Sequence, residues 1–572
     1  MNVTELDRLD QVLEYANNAE VLSVDTEGYF EVNNKLLAES ETVGISIAGP
    51  NFEEYFPFRH LSGDNLPGEM LNSLKKVIES KSRVVFHNAK HDIIALKRLG
   101  IETGPFYDTM LMAHMIDENI KNKSLDYLSK MYGGEPKNRP KEMQDIIDTF
   151  GWAYIPVQYM NAYAANDAKI TWELFYKLHP EFKEQNLDGE LWDVEQKFTR
   201  VLGNMELQGV KVDKELCTKE QIRGLSIMKE IERELGFKPS SPKELSKFLL
   251  EDMRFPVVKR TKTNNPSFDK KAMEIYDEML MLNNDTRAKM VATFRGWQKT
   301  CSSNYKPYLD MVSSDGRLRC NYKMHGTVTG RLSCENPNLQ QIPRSSEHDW
   351  NGKLKQAFIA EDGFKLWESD YSQLEFRLSA AYAKEKALIE IFADENRDVF
   401  DEIASSLHMR RQDVKTLTYT IAYGGGVNRI KNVFGVSTQA ARAIREGYYK
   451  SYPNLRKVSD IAARKCRQNG YLTLWSGRRR HFADPEMDAH KAFNSVVQGG
   501  AAEIVKRSII RLDDEGLNNK ECRLLLQVHD SVVAEIEEGK EETYLPEIKR
   551  VMEDVKPRFG VKFKVDVHEW GH

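Results

Sequence analysis

Cysteine is scarce in this chain, and its six copies are widely spaced. Cys217, Cys301, Cys320, Cys334, Cys466 and Cys522 form no CxxC pair. That spacing argues against a zinc site and a disulfide framework, and fits a reducing compartment. No apolar run approaches the roughly 20 residues a bilayer-spanning helix needs. The opening MNVTELDRLDQVLEY is charged and acidic and holds no apolar h-region, so no secretory signal is read there. A cytoplasmic setting is expected, or a host's cytoplasm if the gene is viral. Repeats and low-complexity segments are absent too. So is a basic excess, because 82 Lys and Arg face 87 Asp and Glu for a net charge of −5. The balance does not exclude a nucleic-acid partner, since a local basic groove can bind phosphates on an acidic protein.

What is present is an ordinary globular composition, 41% apolar and 30% charged, over 572 residues. Domains usually run to about 100–200 residues, so roughly three or four are expected. Residues 1 to about 185 predict an α/β pattern, with strands near 20–24, 43–48 and 83–86 and helices near 91–99 and 163–178. From about 186 to 310 the chain reads as mostly helical, interrupted by FPVVKRTKTNNPSF, an exposed basic loop. Beyond about 311 strands and helices mix again.

Carboxylates stand out in the first part. Asp25 and Glu27 close an apolar strand, and the period of two points both to one face. Like charges so placed repel unless a cation lies between them. A solvated strand end is the plain alternative. His87-Asn88-Ala89-Lys90-His91-Asp92 then opens a helix, and Tyr163 and Asp167 lie one turn apart on another. Asn88 reads equally as a substrate-side residue or a helix cap.

The last part carries WESDYSQLEFR, with Asp370, and QVHD, with Asp530 between two apolar strands. Between them Arg411, Lys415, Tyr419 and Tyr423 recur every four residues and form one slowly winding helical stripe. Cations followed by rings suit a nucleoside triphosphate, although an ordinary helix with exposed bases is the plain alternative. Asn494 and Gln498 share a helix face.

The set Asp25-x-Glu27, Asn88…Asp92, Tyr163…Asp167 resembles the DEDD-type 3′→5′ exonucleases in their tyrosine form. DYSQLEFR, QVHD, RxxxKxxxYxxxYG and TGRLS…NPNLQQIP resemble family A DNA polymerases of the Pol I and T7-phage type. The resemblance covers nearly the whole chain. It implies an RNase H-like α/β exonuclease domain over 1–185 and a right-hand polymerase after it. The polymerase would have a helical thumb over 186–310, then over 311–572 an α+β palm with an antiparallel sheet, and helical fingers at about 385–490.

Roles follow by the same resemblance. Asp25, Glu27 and Asp167 would hold one metal ion, Asp25 and Asp92 a second, and Tyr163 would orient the attacking water. Asp370, Tyr371 and Asp530 would hold the polymerase ions. Oxygen-only ligands favour two Mg²⁺ per site, with Mn²⁺ as a substitute. Arg411 and Lys415 would meet the triphosphate, Tyr419 the sugar and Tyr423 the templating base, with Gln373 also against the nucleotide. Glu375 would crowd the sugar 2′ position and select deoxynucleotides. Arg331, Asn494, Gln498 and His529 would touch the duplex, where minor-groove acceptors test pairing without reading sequence. Lys259, Arg260 and Lys262 would grip phosphates, a solvated charge run being the alternative.

Several positions depart from the family. Ser531 stands where relatives carry glutamate, Phe400 where a histidine is expected and His490 where arginine is usual. Tyr419 replaces a phenylalanine of many bacterial members and implies weak discrimination against dideoxynucleotides. No 5′-nuclease region and no thioredoxin-docking insertion are read. That compactness points to a bacteriophage replicative enzyme, a monomer acting on primer-template DNA; clamp, helicase or primase partners are not legible. A single-subunit RNA polymerase is the rival reading, opposed by Glu375 and the exonuclease set. A catalytically dead accessory protein is a second, opposed by the full complement of carboxylates.

Overall fold

The computed structural model describes residues 3–29, 41–61, 63–137, 140–282, 285–342, 350, 353–422, 424–556 and 558–571. They form two compact units. The first joins 1–208, 322–334 and 367–568; the second joins 209–321, 335–366 and 569–572. The helix Glu190–Gln208, expected with the 186–310 region, therefore lies in the first unit.

The N-terminal sheet has strands β1 (Leu22–Tyr29), β2 (Glu41–Gly49), β3 (Phe52–Pro57), β4 (Val84–Phe86) and β5 (Phe106–Asp108). Their order is β3-β2-β1-β4-β5. The β1–β2 and β2–β3 pairs are antiparallel, while β1–β4 and β4–β5 are parallel. Alternation along β1 divides the sheet's two faces. Leu22 and Val24 join Ile45, Ile47, Phe56 and Phe86 in a core closed by Leu9 and Leu13 of one helix and Leu74 and Ile78 of another. Fully burying each such side chain is worth about 1.5–3 kcal/mol. The other face packs on the long helix Val157–Glu184. Gly44 on β2 pairs with Glu27, and a Cβ there would fall 2.0 Å from the Tyr55 hydroxyl. Only glycine lets that ring lie over the sheet.

The reading of Asp25 and Glu27 as a strand end needs correction, because β1 runs on to Tyr29 and carries both in its interior. Pairing with β2 extends the strand past its apolar part, and a register shift between Glu27 and Gly28 marks where regular pairing is disturbed. β3 was not expected: FEEYFP alternates poorly, and β2 recruits it through a short turn.

The rest of the first unit is built around a four-stranded sheet, in the order Cys522–Val528, Ser531–Glu537, Phe364–Tyr371, Val565–Glu569. The first two strands form an antiparallel hairpin with Val528 opposite Ser531, so only His529 and Asp530 make the turn. His529 takes φ 55°, the left-handed geometry that two-residue hairpin turns favour. Helices Leu374–Ala383 and Ala492–Asp514 pack together beside the sheet elements. A separate helical core gathers Phe376, Leu388, Phe400, Val414, Leu417 and Tyr448.

The second unit has a small sheet ordered Phe358–Ile359, Val210–Val212, Arg317–Leu318, with long helices Lys214–Leu235 and Arg287–Thr300. Its core includes Leu245, Phe248, Tyr276 and Val291. The basic segment is an exposed loop here, as its composition implied. Among the described residues no helix is long and apolar enough to cross a membrane.

Candidate active sites

The first carboxylate cluster converges from three elements. Asp25 and Glu27 come from β1 and Asp167 from the helix Val157–Glu184, and their oxygens lie within 4.8 Å of one another. Glu27 and Asp167 are buried. Three hard oxygen donors at that spacing suit a divalent cation such as Mg²⁺, and two such ions activate water for phosphodiester cleavage. Asp92 approaches from the helix Ala89–Arg98, and its Oδ1 accepts hydrogen bonds from the Thr26 amide at 2.9 Å and hydroxyl at 2.8 Å. Burial pushes the Asp92 carboxyl well up, and the Asp25 charge pushes it further, so the pair favours a cation. Tyr163, also buried, lies one turn from Asp167 with its ring 6.2 Å from Trp152.

Asn88 occupies the cap of that helix at φ 74° but makes no side-chain capping bond. Asp108 does the capping instead. Its oxygens accept from Asn88 N at 3.0 Å, Ala89 N at 2.9 Å and Met110 N at 2.9 Å. The Asn88 side chain is left exposed, so the cap reading of it fails.

Lys137 was not singled out from the sequence. Its ammonium pairs with Asp167 Oδ2 and stands 5.3 Å from the centre of the Tyr163 ring. No local pattern marks it, because it lies in a segment without regular structure and meets the cluster only through the fold.

The second site lies on the four-stranded sheet. Asp370 is the last residue but one of the strand Phe364–Tyr371, and the Tyr371 amide donates to the Asp530 carbonyl at 3.2 Å, which brings the two motifs side by side. Burial raises the Asp530 carboxyl above the usual range, while Arg331 and His529 oppose the shift. Arg331 Nη2 lies 3.6 Å from Asp530 Oδ1 and pairs with Glu375, which is buried. The Tyr371 side chain turns away from this pair. Its hydroxyl is buried against Ser508 Oγ at 2.7 Å and the Met552 carbonyl at 2.5 Å, on the face away from Asp370. Any hold on a cation falls to its main chain. Gln373 sits at the head of the next helix at φ 56°.

Glu368 was also missed, although the signal used for Asp25 and Glu27 was present. It is two residues before Asp370 on the same strand face. Its carboxylate accepts from Ser531 Oγ at 3.1 Å and pairs with His568 Nε2 at 3.1 Å. Ser531 thus contacts a carboxylate from the neighbouring strand.

The stripe on Arg411–Ala422 is helical, with Arg411 and Lys415 exposed and Tyr419 half-buried. Tyr423 lies outside the described residues. Arg411 is tied to Asp398 at 2.7 Å and Asp401 at 3.4 Å, and its guanidinium is 5.7 Å from the centre of the Phe400 ring. Phe400 is itself buried against Phe376 and Tyr419. Asn494 and Gln498 are half-buried on the helix Ala492–Asp514, and His490 is exposed. His529 stands exposed at the hairpin tip. In the second unit Lys259 pairs with Asp269, Arg260 donates to the Asn264 carbonyl at 2.8 Å, and Lys262 is exposed.

Two carboxylate sites thus stand on separate sheets of one chain, each offering hard oxygen donors of the kind that suit divalent cations. Residues 211–571 match the family model described as DNA polymerase family A, and residues 1–183 match that described as 3′-5′ exonuclease. The chain belongs to DNA polymerase family A. It is 27% identical over 601 residues to DNA polymerase I of Borreliella burgdorferi, covering all of this chain and 64% of that protein. It is 28% identical over 605 residues to DNA polymerase I of Chloroflexus aurantiacus, covering 99% and 62%. The chain thus spans about three fifths of these curated relatives. The solved polymerase domain of Pol1 from M. smegmatis, in complex with DNA primer-template and dNTP, has the same fold at a TM-score of 0.82. That likeness covers 98% of this chain and 97% of that one at 23% identity.

Proposed function

We propose that the chain extends a primer on a DNA template from deoxynucleoside triphosphates and removes 3′-terminal nucleotides from the same strand. The carrying observation is the pair of separate carboxylate sites, one around Asp25, Glu27 and Asp167 and one around Asp370 and Asp530. Mg²⁺ bound there, or Mn²⁺ in its place, would supply the charge that activates the primer 3′-hydroxyl in one site and water in the other.

The protein's own groups do the rest. Arg411 and Lys415 project from one exposed helix face toward a triphosphate, and Tyr419 below them meets the sugar. Glu375 is fixed by Arg331, so its carboxylate stands as a rigid wall against a 2′-hydroxyl. Arg331, Asn494, Gln498 and His529 contact the duplex, and Lys259, Arg260 and Lys262 its phosphates. In the exonuclease site Tyr163 orients water and exposed Asn88 faces the substrate end. The division into exonuclease, thumb, palm and fingers belongs to this proposal. So does the primer-template substrate, which is supported by the primer-template DNA and dNTP in complex with the M. smegmatis polymerase domain. A phage replicative role rests on compactness alone, and the relatives above are bacterial, so the proposal stops at DNA synthesis with 3′→5′ excision.

Primer extension with deoxy- and ribonucleotides tests this on the native chain, Asp370→Ala and Asp25→Ala. Deoxynucleotide extension is expected to vanish with Asp370→Ala, and primer degradation with Asp25→Ala. Extension that survives the first, degradation that survives the second, or equal use of ribonucleotides would each remove the corresponding assignment. An accessory protein would show neither activity.

A further inference from the structure

Lys137 brings a positive charge to the atoms that a cation would use. Asp25, Glu27 and Asp167 crowd three formal negative charges within 4.8 Å, and the Lys137 ammonium rests on Asp167 Oδ2. Asp167 is buried and the lysine side chain is 26% exposed, so the pair is largely shielded from water. Shielding makes the attraction strong and any like charge beside it costly. The lysine's backbone is anchored separately, since its amide donates to Asp126 Oδ1 at 3.1 Å. The stem of four methylenes can therefore leave the carboxylates without moving the chain. The Tyr163 ring, 5.3 Å from the ammonium, flanks the position it occupies.

We propose that Lys137 is a displaceable counter-ion of the exonuclease carboxylates, which a divalent cation exchanges for in order to bind. This rests on the exonuclease reading above and deepens it. An ammonium and a dication on the same shielded Asp167 oxygen repel each other strongly, so cation binding turns the lysine out toward the mouth of the site. Lys137 holds the carboxylates gathered, and it raises the cation concentration that the exonuclease requires. A simple loop-holding ion pair makes a different prediction: its loss weakens the fold equally with and without cation, and leaves cation affinity unchanged.

Mn²⁺ binding followed by electron paramagnetic resonance separates these, on the full chain carrying Asp370→Ala and Asp530→Asn to silence the other carboxylates. In that background Lys137→Met, which keeps the stem, is expected to tighten Mn²⁺ binding about tenfold, as removal of one close like charge implies. Lys137→Arg should keep the original affinity. After EDTA treatment Lys137→Met should melt lower than its parent, and saturating Mn²⁺ should close that gap. Unchanged or weaker Mn²⁺ binding in Lys137→Met, or a melting deficit that Mn²⁺ leaves in place, would overturn the counter-ion role. Adding Asp25→Ala tells the two readings apart. Mn²⁺ binding that Asp25→Ala leaves intact removes the exonuclease site itself, whereas binding that needs Asp25 but ignores Lys137 removes only this inference.

Discussion

Glu375 and Arg331 meet from different parts of the first unit, one at the start of a helix and the other in a loop, and hold each other beside Asp530. A charge-assisted pair with a buried member is stiff. Replacing Glu375 therefore does two things at once: it opens space and it releases Arg331 toward Asp530. Glu375→Ala is expected to lower the ratio of deoxy- to ribonucleotide kcat/KM by about tenfold or more, since losing a built-in steric or polar exclusion costs that much discrimination. Single-nucleotide incorporation kinetics measure it, and an unchanged ratio would take the 2′ role from Glu375. At this scale the sequence is informative where chemistry follows a local period. Asp25 and Glu27 are readable because a strand repeats every two residues. Glu368 and Asp370 carry the same signal. Lys137 has none, because its partner Asp167 is thirty positions away and only the tertiary fold joins them.

The helix Arg411–Ala422 presents its basic residues on an exposed face, yet Arg411 must first leave an ion pair to take a phosphate. Asp398 holds it at 2.7 Å, and the same carboxylate caps the helix Val399–Leu407 through the amides of Phe400 at 2.8 Å and Asp401 at 3.0 Å. Asparagine caps about as well as aspartate, so Asp398→Asn keeps the helix and removes only the ionic hold. Its nucleotide KM is expected to fall about two- to fivefold, with kcat nearly unchanged, because an exposed ion pair is worth roughly 0.2–1 kcal/mol. A raised KM would mean that Asp398 aligns Arg411 rather than restraining it. The stripe itself was legible from its four-residue spacing. The restraint was not, since Asp398 belongs to a separate helix cap. For the same reason β3 and the full length of β1 were missed. Strand pairing decides them, and that is a property of neighbours rather than of the segment.

Across the whole molecule the order of segments along the chain is a poor guide to their grouping. Residues 322–334 and 367–568 join the N-terminal 1–208 in one unit, which no composition shift announces. Part of what binds that unit is a buried ionic network. Arg478 Nε donates to Glu503 Oε1 at 2.9 Å and also pairs with Glu195, while Lys506 lies 2.5 Å from Glu195 Oε1 and 3.4 Å from Glu503 Oε1. Two carboxylates and two cations balance, which is what lets them be buried. Burial alone pushes the Glu503 carboxyl up, but Lys506 and Arg478 outweigh it and bring it down to about 2 from an ordinary 4.5. A carboxyl lowered on folding adds stability that is fully present above its unfolded value and is lost as pH falls through its folded one. Glu503→Gln leaves the two cations short of a partner and is expected to cost roughly 3–5 kcal/mol at neutral pH. The deficit relative to the native chain should then shrink as pH falls from about 4.5 toward about 2, where the native carboxylate is itself being protonated. Urea melts of both proteins at neutral pH and at steps through that window measure it. A deficit that stays constant with pH would show that Glu503 acts by packing and that its charge contributes nothing to holding the N-terminal and C-terminal segments together.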